Sequence, residues 1–428
     1  MFSKLYSQLI SRRSFIASST ALAAASIHGR PRRAIAATSR ITIGMVGMGI
    51  QNRGHLGWLL GQGGVQVVAV SDCHAKRLAD AAATVEKQYA EEKKSGSFVG
   101  CAAIADFREL VSRDDIDAVV IGTPDHWHAI PSILAARSGK HVYCEKPLSL
   151  TIAESRLMVE AARAGNSVFQ TGSQQRTEFG GLFRKAVEYV RSGRIGKVTR
   201  ISVGVGGPSK PCDLPVESLP EGIDWDMWNG PSPQRGYNAI LCPIDIHKHF
   251  PQWRSYDEYA NGGLADMGAH HFDIAQWAMG VDESGPVEII PPAEGMTGLR
   301  MIYSQGFEIV HGGPSGCTFE GSNGIISVDR GKIESRPGSI LETPLKDSDF
   351  HLPVIADNHK QNWLDCIATG KRPVADVEVG ARTSQICILA NMGYHLRRTL
   401  KWDPAKEEFI NDPQANAMRS RSNRAPWN

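Results

Sequence analysis

The sequence predicts an α/β protein of two domains, on three observations. Short apolar runs alternate with helix-like stretches over the first third of the chain, and a glycine-rich turn joins the first such run to the first helix. Beyond Lys197 the texture changes to strands of alternating apolar and polar residues. A length of 428 residues suits two domains, and 42% hydrophobic with 21% charged residues excludes disordered, collagenous and disulfide-stapled classes.

Residues 1–36 hold six basic side chains (Lys4, Arg12, Arg13, Arg30, Arg32, Arg33) and no acid. Ser11-Arg12-Arg13-Ser14-Phe15 leads into a mildly apolar run from Phe15 to Ile27 and then into Ala34-Ile35-Ala36. That order reads as a twin-arginine export signal cleaved after Ala36, which places the protein in the periplasm or otherwise outside the cytoplasm. The apolar run is diluted by Ser18, Ser19 and Thr20 and falls short of the roughly 20 residues that span a bilayer. No later segment offers 18 consecutive apolar residues, so no membrane partner is expected for the mature chain. Without the leader, 41 basic residues face 45 acidic ones, a net charge of −4 in place of +2. No basic stripe with interleaved aromatics remains, and no nucleic-acid partner is expected. The eight cysteines are dispersed without a C-x-x-C; some pair or all stay free, and spacing does not decide which.

The first domain is expected over residues 40–165. Ile41-Thr-Ile-Gly-Met-Val46 suits a buried strand, and Gly47-Met48-Gly49-Ile50-Gln51-Asn52 follows as the turn into a helix. A second apolar run, Val65–Val70, ends at Ser71-Asp72, 25 residues after Gly47, the layout of a dinucleotide-binding βαβ unit. Gly47 permits the tight turn, and Gly49 lets the backbone approach a pyrophosphate at the helix N-terminus. Asp72 accepts from the ribose hydroxyls and repels a 2′-phosphate, which favours NAD over NADP. The third glycine position is occupied by Asn52, with Gly54 two residues later. Further strand runs at Ile116–Gly122 and Lys140–Cys144 end in the loops Thr123-Pro124-Asp125-His126-Trp127-His128 and Glu145-Lys146-Pro147. Open parallel sheets bind ligands beyond such strand ends. Thr151 with Glu154 reads as a capping box for a helix running to about Gly165.

These motifs, with Gly262-Gly263-Leu-Ala-Asp266-Met-Gly268-Ala-His270-His271-Phe-Asp273 further on, resemble the family of glucose-fructose oxidoreductase and inositol dehydrogenase, Gfo/Idh/MocA, in its exported branch. The resemblance implies a Rossmann domain followed by a C-terminal α/β domain with a large, mostly antiparallel open sheet, which often mediates assembly into a dimer or tetramer. That second domain is assigned to residues 166–405, with a helix from about Val379 to Arg398, and 406–428 are read as a polar tail. The resemblance also places Thr123, Pro124, His128 and Glu145 with Lys146 at the cofactor, Glu145 on its nicotinamide side. It makes Arg176 a substrate contact, and His271 is placed beside the substrate with it.

Oxidising a sugar hydroxyl requires a base for the O–H proton while the hydride passes to the nicotinamide. Lys146 and His270 are the candidates, the lysine with a pKa lowered by burial and its neighbours. Asp266 and His270 are four apart and share one face if the segment is helical. The long stretch from Gly206 to Asp266, rich in Pro, Trp and Gly, is expected to shape the substrate site. Trp127, Trp225, Trp228 and Trp253 either stack on sugar faces or fill core. His126-x-His128 and His247-x-His249 give no complete ligand set, so no metal is assigned. The expected function is an NAD-dependent oxidoreductase acting on a secondary hydroxyl of a sugar, polyol or glycoside. The alternatives are a glycosidase or lyase with tightly bound NAD working through a transient keto-sugar, and a non-catalytic sugar-binding protein.

Overall fold

In the computed structural model of the protein, residues 40–427 are described; the export signal read over 1–36 lies outside the described residues. The apolar runs pair as six parallel strands: β1 (Ile41–Val46), β2 (Val65–Ser71), β3 (Ala102–Ile104), β4 (Ala118–Ile121), β5 (His141–Cys144) and β6 (Phe169–Thr171). Their order, β3-β2-β1-β4-β5-β6, is that of a doubly wound nucleotide fold. Every β4 residue and all of β1 but Thr42 are buried, as a parallel sheet covered on both faces requires.

The capping box forms: Thr151 N–H donates to Glu154 Oε2 at 2.9 Å, and Glu154 N–H donates to Thr151 Oγ1 at 3.2 Å, starting the helix Ile152–Ala164. The sheet does not end there, because β6 adds a sixth strand after residue 165. Three residues are too few to show a period in the sequence. The helix His359–Thr369 also returns to this domain and packs Trp363, Leu364 and Ile367 into the core beneath β1 and β2.

The second sheet runs β12-β11-β10-β9-β8-β13-β14, formed by β8 (Glu288–Ile290), β9 (Arg300–Tyr303), β10 (Phe307–Gly321), β11 (Gly324–Asp329), β12 (Lys332–Arg336), β13 (Leu400–Asp403) and β14 (Glu408–Phe409). β7 (Val198–Gly204) lies between the halves of β10, paired with Glu308–His311 and again with Ser315–Gly321. Helices Leu182–Arg191, Gly268–Met279 and Val377–Leu396 cover one face. The last starts two residues before its expected position because Asp376 caps it, accepting from Glu378 N–H at 3.1 Å.

Val377–Leu396 is buried almost all round because it also packs on Ile152–Ala164 of the first domain. Its polar residues serve that contact. Leu148 N–H donates to Ser384 Oγ at 2.8 Å, and Arg156 binds Glu378 at 2.7 and 2.9 Å and also reaches Glu407. The stretch 406–427, expected as a polar tail, is instead packed against the body. Arg421 is half-buried and donates to Glu258 O at 2.9 Å, and Trp427 meets Trp127 edge-on at 4.8 Å between ring centres. A lone terminal tryptophan has no periodicity to announce it.

Candidate active site

The strand-end loops of the first domain and the helices Gly263–Asp266 and Gly268–Met279 enclose a cleft of about 500 Å³. Its floor is the glycine turn. Gly47 has φ +78°, and a Cβ there would stand 2.8 Å from the Thr123 side chain, so both the turn and the close loop contact demand glycine. At Gly49, by contrast, a Cβ would meet no atom within 4 Å. Its missing side chain leaves open cleft at the start of the helix Ile50–Leu60, whose first amides carry no side-chain cap and whose first turn has no acid. Those features fit a dinucleotide phosphate.

Asn52 at the third glycine position is buried and donates to Val46 O at 3.1 Å and Gly47 O at 2.8 Å, bracing the turn from behind. Asp72 sits at the cleft edge, where its carboxylate accepts from Met48 N–H at 2.6 Å and His74 N–H at 2.8 Å. Each oxygen keeps a further lone pair for a ribose hydroxyl. Thr123 and Pro124 line the cleft as expected. His128 lines it too, but its ring nitrogens lie 2.7 Å from Pro147 O and 2.9 Å from Thr123 O. Its ring sits between the two loops, donating to one carbonyl and facing the other, and has no nitrogen left for a ligand.

Glu145 is the most heavily bonded group in the cleft wall. His55 Nε2 is 2.7 Å away, Gln174 donates at 2.8 Å, Gln51 at 3.3 Å, and Lys146 N–H at 3.1 Å. Burial by itself would raise this carboxyl, yet the His55 hydrogen bond and charge, with Lys146, push it down to about 2. Its folded pKa therefore lies below the unfolded value of about 4.3, so its stabilisation is complete above that pH and is lost as pH falls toward 2. Urea midpoints measured from pH 5 to 3 should fall more steeply for the wild type than for Glu145→Gln; equal slopes would remove Glu145 from this role.

Lys146 Nζ donates to both Asp266 Oδ1 and Asp266 O at 2.7 Å. Arg254 Nε stands 3.5 Å from the same carboxylate oxygen, and against burial the two cations keep Asp266 below its usual range. Asp266 and His270 do not share one continuous helix, since the chain breaks at Met267 between Gly263–Asp266 and Gly268–Met279. Both nonetheless line the cleft. Burial, then the charges of Lys146 and Arg330, hold His270 well below its usual pKa, so the ring is neutral, and its Nδ1 has no partner.

Two expected substrate contacts are elsewhere. Arg176 is 2% exposed and forks onto Asp273 at 2.7 and 2.8 Å, with Asp282 at 2.8 Å and the Trp277 ring at 4.7 Å. Its charge is consumed by structural carboxylates. His271 points away from His270 toward the second sheet, 3.8 Å from Asp329 and beside Cys317, where burial pushes it down to about 4. Trp127 does line the cleft, but its Nε1 donates to Met227 O and Trp228 O at 3.0 Å and its ring packs on Phe107. Trp225 and Trp228 stack on each other at 4.6 Å, and Trp228 joins Trp253 in the core of the 206–262 excursion.

Several cleft residues escaped the sequence reading, the charged Arg254, Arg330 and Asp125 among them. Arg254 and Arg330 supply positive charge from distant segments. Asp125, 4% exposed, has a carboxyl that burial pushes up to about 8 against the pull of Arg254 and Lys146. Its place within the Thr123–His128 loop was the available signal. Among the described residues no three His, Cys, Asp or Glu side chains gather as a metal site.

Residues 41–173 match the model of the GFO_IDH_MocA "Oxidoreductase family, NAD-binding Rossmann fold", and residues 209–428 match that of its "C-terminal alpha/beta domain". An α-N-acetylgalactosaminidase of Shewanella oneidensis is 34% identical over 122 residues, 28% of this chain and 26% of that protein. The chain thus spans only about a quarter of the length of the curated relatives it matches. Among solved structures, the aldose-aldose oxidoreductase of Caulobacter crescentus aligns at TM-score 0.57 and 17% identity, over 85% of this chain and 99% of that one. The WlbA dehydrogenase of Bordetella pertussis, solved with NADH and UDP-GlcNAcA, aligns at 0.58 and 17% over the same shares. At such identities the likeness is one of fold. The two matched models together cover most of the chain, which belongs to the Gfo/Idh/MocA family, oxidoreductases built on an NAD-binding Rossmann domain.

Proposed function

We propose that the protein oxidises a secondary hydroxyl of a sugar, polyol or glycoside, with Lys146 and His270 exchanging the proton and Asp266 orienting Lys146. The observation that carries this is the Lys146 Nζ–Asp266 pair at 2.7 Å in the same cleft as the glycine turn and His270. NAD, when bound, accepts or returns the hydride. Gly47, Gly49, Asp72, Thr123, Pro124 and Glu145 are the cleft residues that would hold it. Lys146 presents its ammonium to the reacting oxygen, and the neutral His270 ring takes up or gives back the proton. His270 is buried and the Lys146 side chain is 14% exposed, which limits the access of bulk water to the exchange.

A second reading is favoured by the Shewanella oneidensis relative, whose name denotes glycoside cleavage. In it a transient ketone acidifies the neighbouring C–H, elimination expels the aglycone and leaves a C=C bond, water adds across that bond in a glycosidase, and the ketone is reduced again, leaving no net redox change. A screen of sugars and aryl glycosides, followed by NADH absorbance and by released aglycone, separates the two. Absorbance change without release is the expected result; release without net NADH would replace the first reading by the second, and binding with neither would leave a non-catalytic sugar-binding protein. The proposal extends to an exported homo-oligomer, supported by the leader-like residues 1–36 and the open sheet. Cell fractionation and light scattering test those two parts.

A further inference from the structure

The excursion over residues 206–262 is fastened to both ends of the cleft. At the Asp72 end it is stitched to the loop after β2 by backbone bonds: Ala75 N–H donates to Gly222 O at 2.8 Å and Asp224 N–H to Cys73 O at 3.0 Å, with His74 bridged to Ile223. Twenty residues later it returns to the same loop. His74 Nε2 lies 2.9 Å from Ile244 O, Arg77 donates to Pro243 O at 2.7 Å, and Lys76 pairs with Asp245 at 3.3 Å. At the other end Arg254 reaches Asp266, the partner of Lys146. Between these anchors Leu241, His247, Phe250 and Pro251 line the cleft.

The excursion is not a slack loop. Trp228, Tyr237, Leu241, Trp253 and Tyr259 give it an apolar core of its own, so it moves as a unit or not at all. A dinucleotide lying between Asp72 and Lys146 has this unit along its flank, and leaving requires that at least one anchor open.

We propose that residues 206–262 form a retaining strap that sets how slowly the dinucleotide exchanges, with the contacts of His74 and Arg77 to residues 243–244 as its latch. This rests on the cofactor proposed above.

The latch is testable without turnover. The full-length mature protein is loaded with NADH and chased with excess NAD, and release is read by nucleotide fluorescence. His74 does not line the cleft. His74→Ala should speed release by about ten-fold, the worth of roughly one hydrogen bond, while His74→Gln, which keeps a donor, should restore most of the slow rate. His74→Ala with Lys76→Ala, which also leaves the backbone stitches intact, should be at least as fast. Release that is equally slow in the variants, or already complete in the wild type within the mixing time, would overturn the strap. Neither result touches the chemistry, which is tested separately by turnover of Lys146→Ala; release from Lys146→Ala should stay slow even if that variant proves active.

Discussion

Lys146→Ala lowers kcat/KM on any accepted sugar by about 10² to 10⁴-fold, the usual worth of a positioned proton-transfer group, while NADH binding is kept. The expectation follows from geometry. Lys146 is fixed just beyond β5, with Nζ held by two oxygens of Asp266, and among the described residues the other lysine lining the cleft is Lys360, whose Nζ lies 3.9 Å from Glu178. Lys146→Arg is the sharper variant. A guanidinium keeps the charge and the contact with Asp266 but does not give up a proton near neutral pH. It should therefore bind substrate and remain slow. Full activity of either variant would end the assignment of Lys146, and activity lost only through KM would recast it as a binding group.

Arg176→Ala should be the most destabilising of the single substitutions considered, costing about 3–5 kcal/mol, because it leaves Asp273 as a buried carboxylate without its cation. Burial already raises the Asp273 carboxyl, with Arg176 opposing that rise, so the variant takes up a proton at Asp273 or loosens the helix Gly268–Met279 that carries His270. Urea unfolding measures the loss. Arg176→Met with Asp273→Leu should recover much of it, since Asp282 is partly exposed and reaches water. A stable Arg176→Ala variant with a raised KM alone would return Arg176 to the substrate. This contrast separates a residue that builds the site from one that works in it.

Much of the first domain was legible in the sequence. Apolar runs, the glycine turn and Asp72 are local features whose meaning depends only on their spacing along the chain, and the six-stranded order contains them all. The second sheet was legible as texture alone, since β10 pairs with β7 on two sides and no periodicity reveals that doubling back. Within the site the legible residues were those at strand ends, where the fold leaves few directions to point: Gly47, Gly49, Thr123, Glu145 and Lys146.

The misplaced residues share a different cause. Arg176 follows Gln174 and Gln175 in a single 3₁₀ turn, and His271 follows His270 in a helix, where successive side chains point about 100° apart. One member of each group faces the cleft and its neighbour faces core or sheet, a choice made by the packing of distant elements. The same holds for Arg254, Arg330 and Trp427, which arrive from segments far apart in sequence. The amino-acid sequence thus determined the α/β alternation, the glycine turn and the acid that follows β2, because those are set by neighbours along the chain. Only the tertiary structure decided which polar side chains share the cleft, and that the 206–262 excursion spans it, because burial and long-range pairing set direction where local chemistry offers several equal choices.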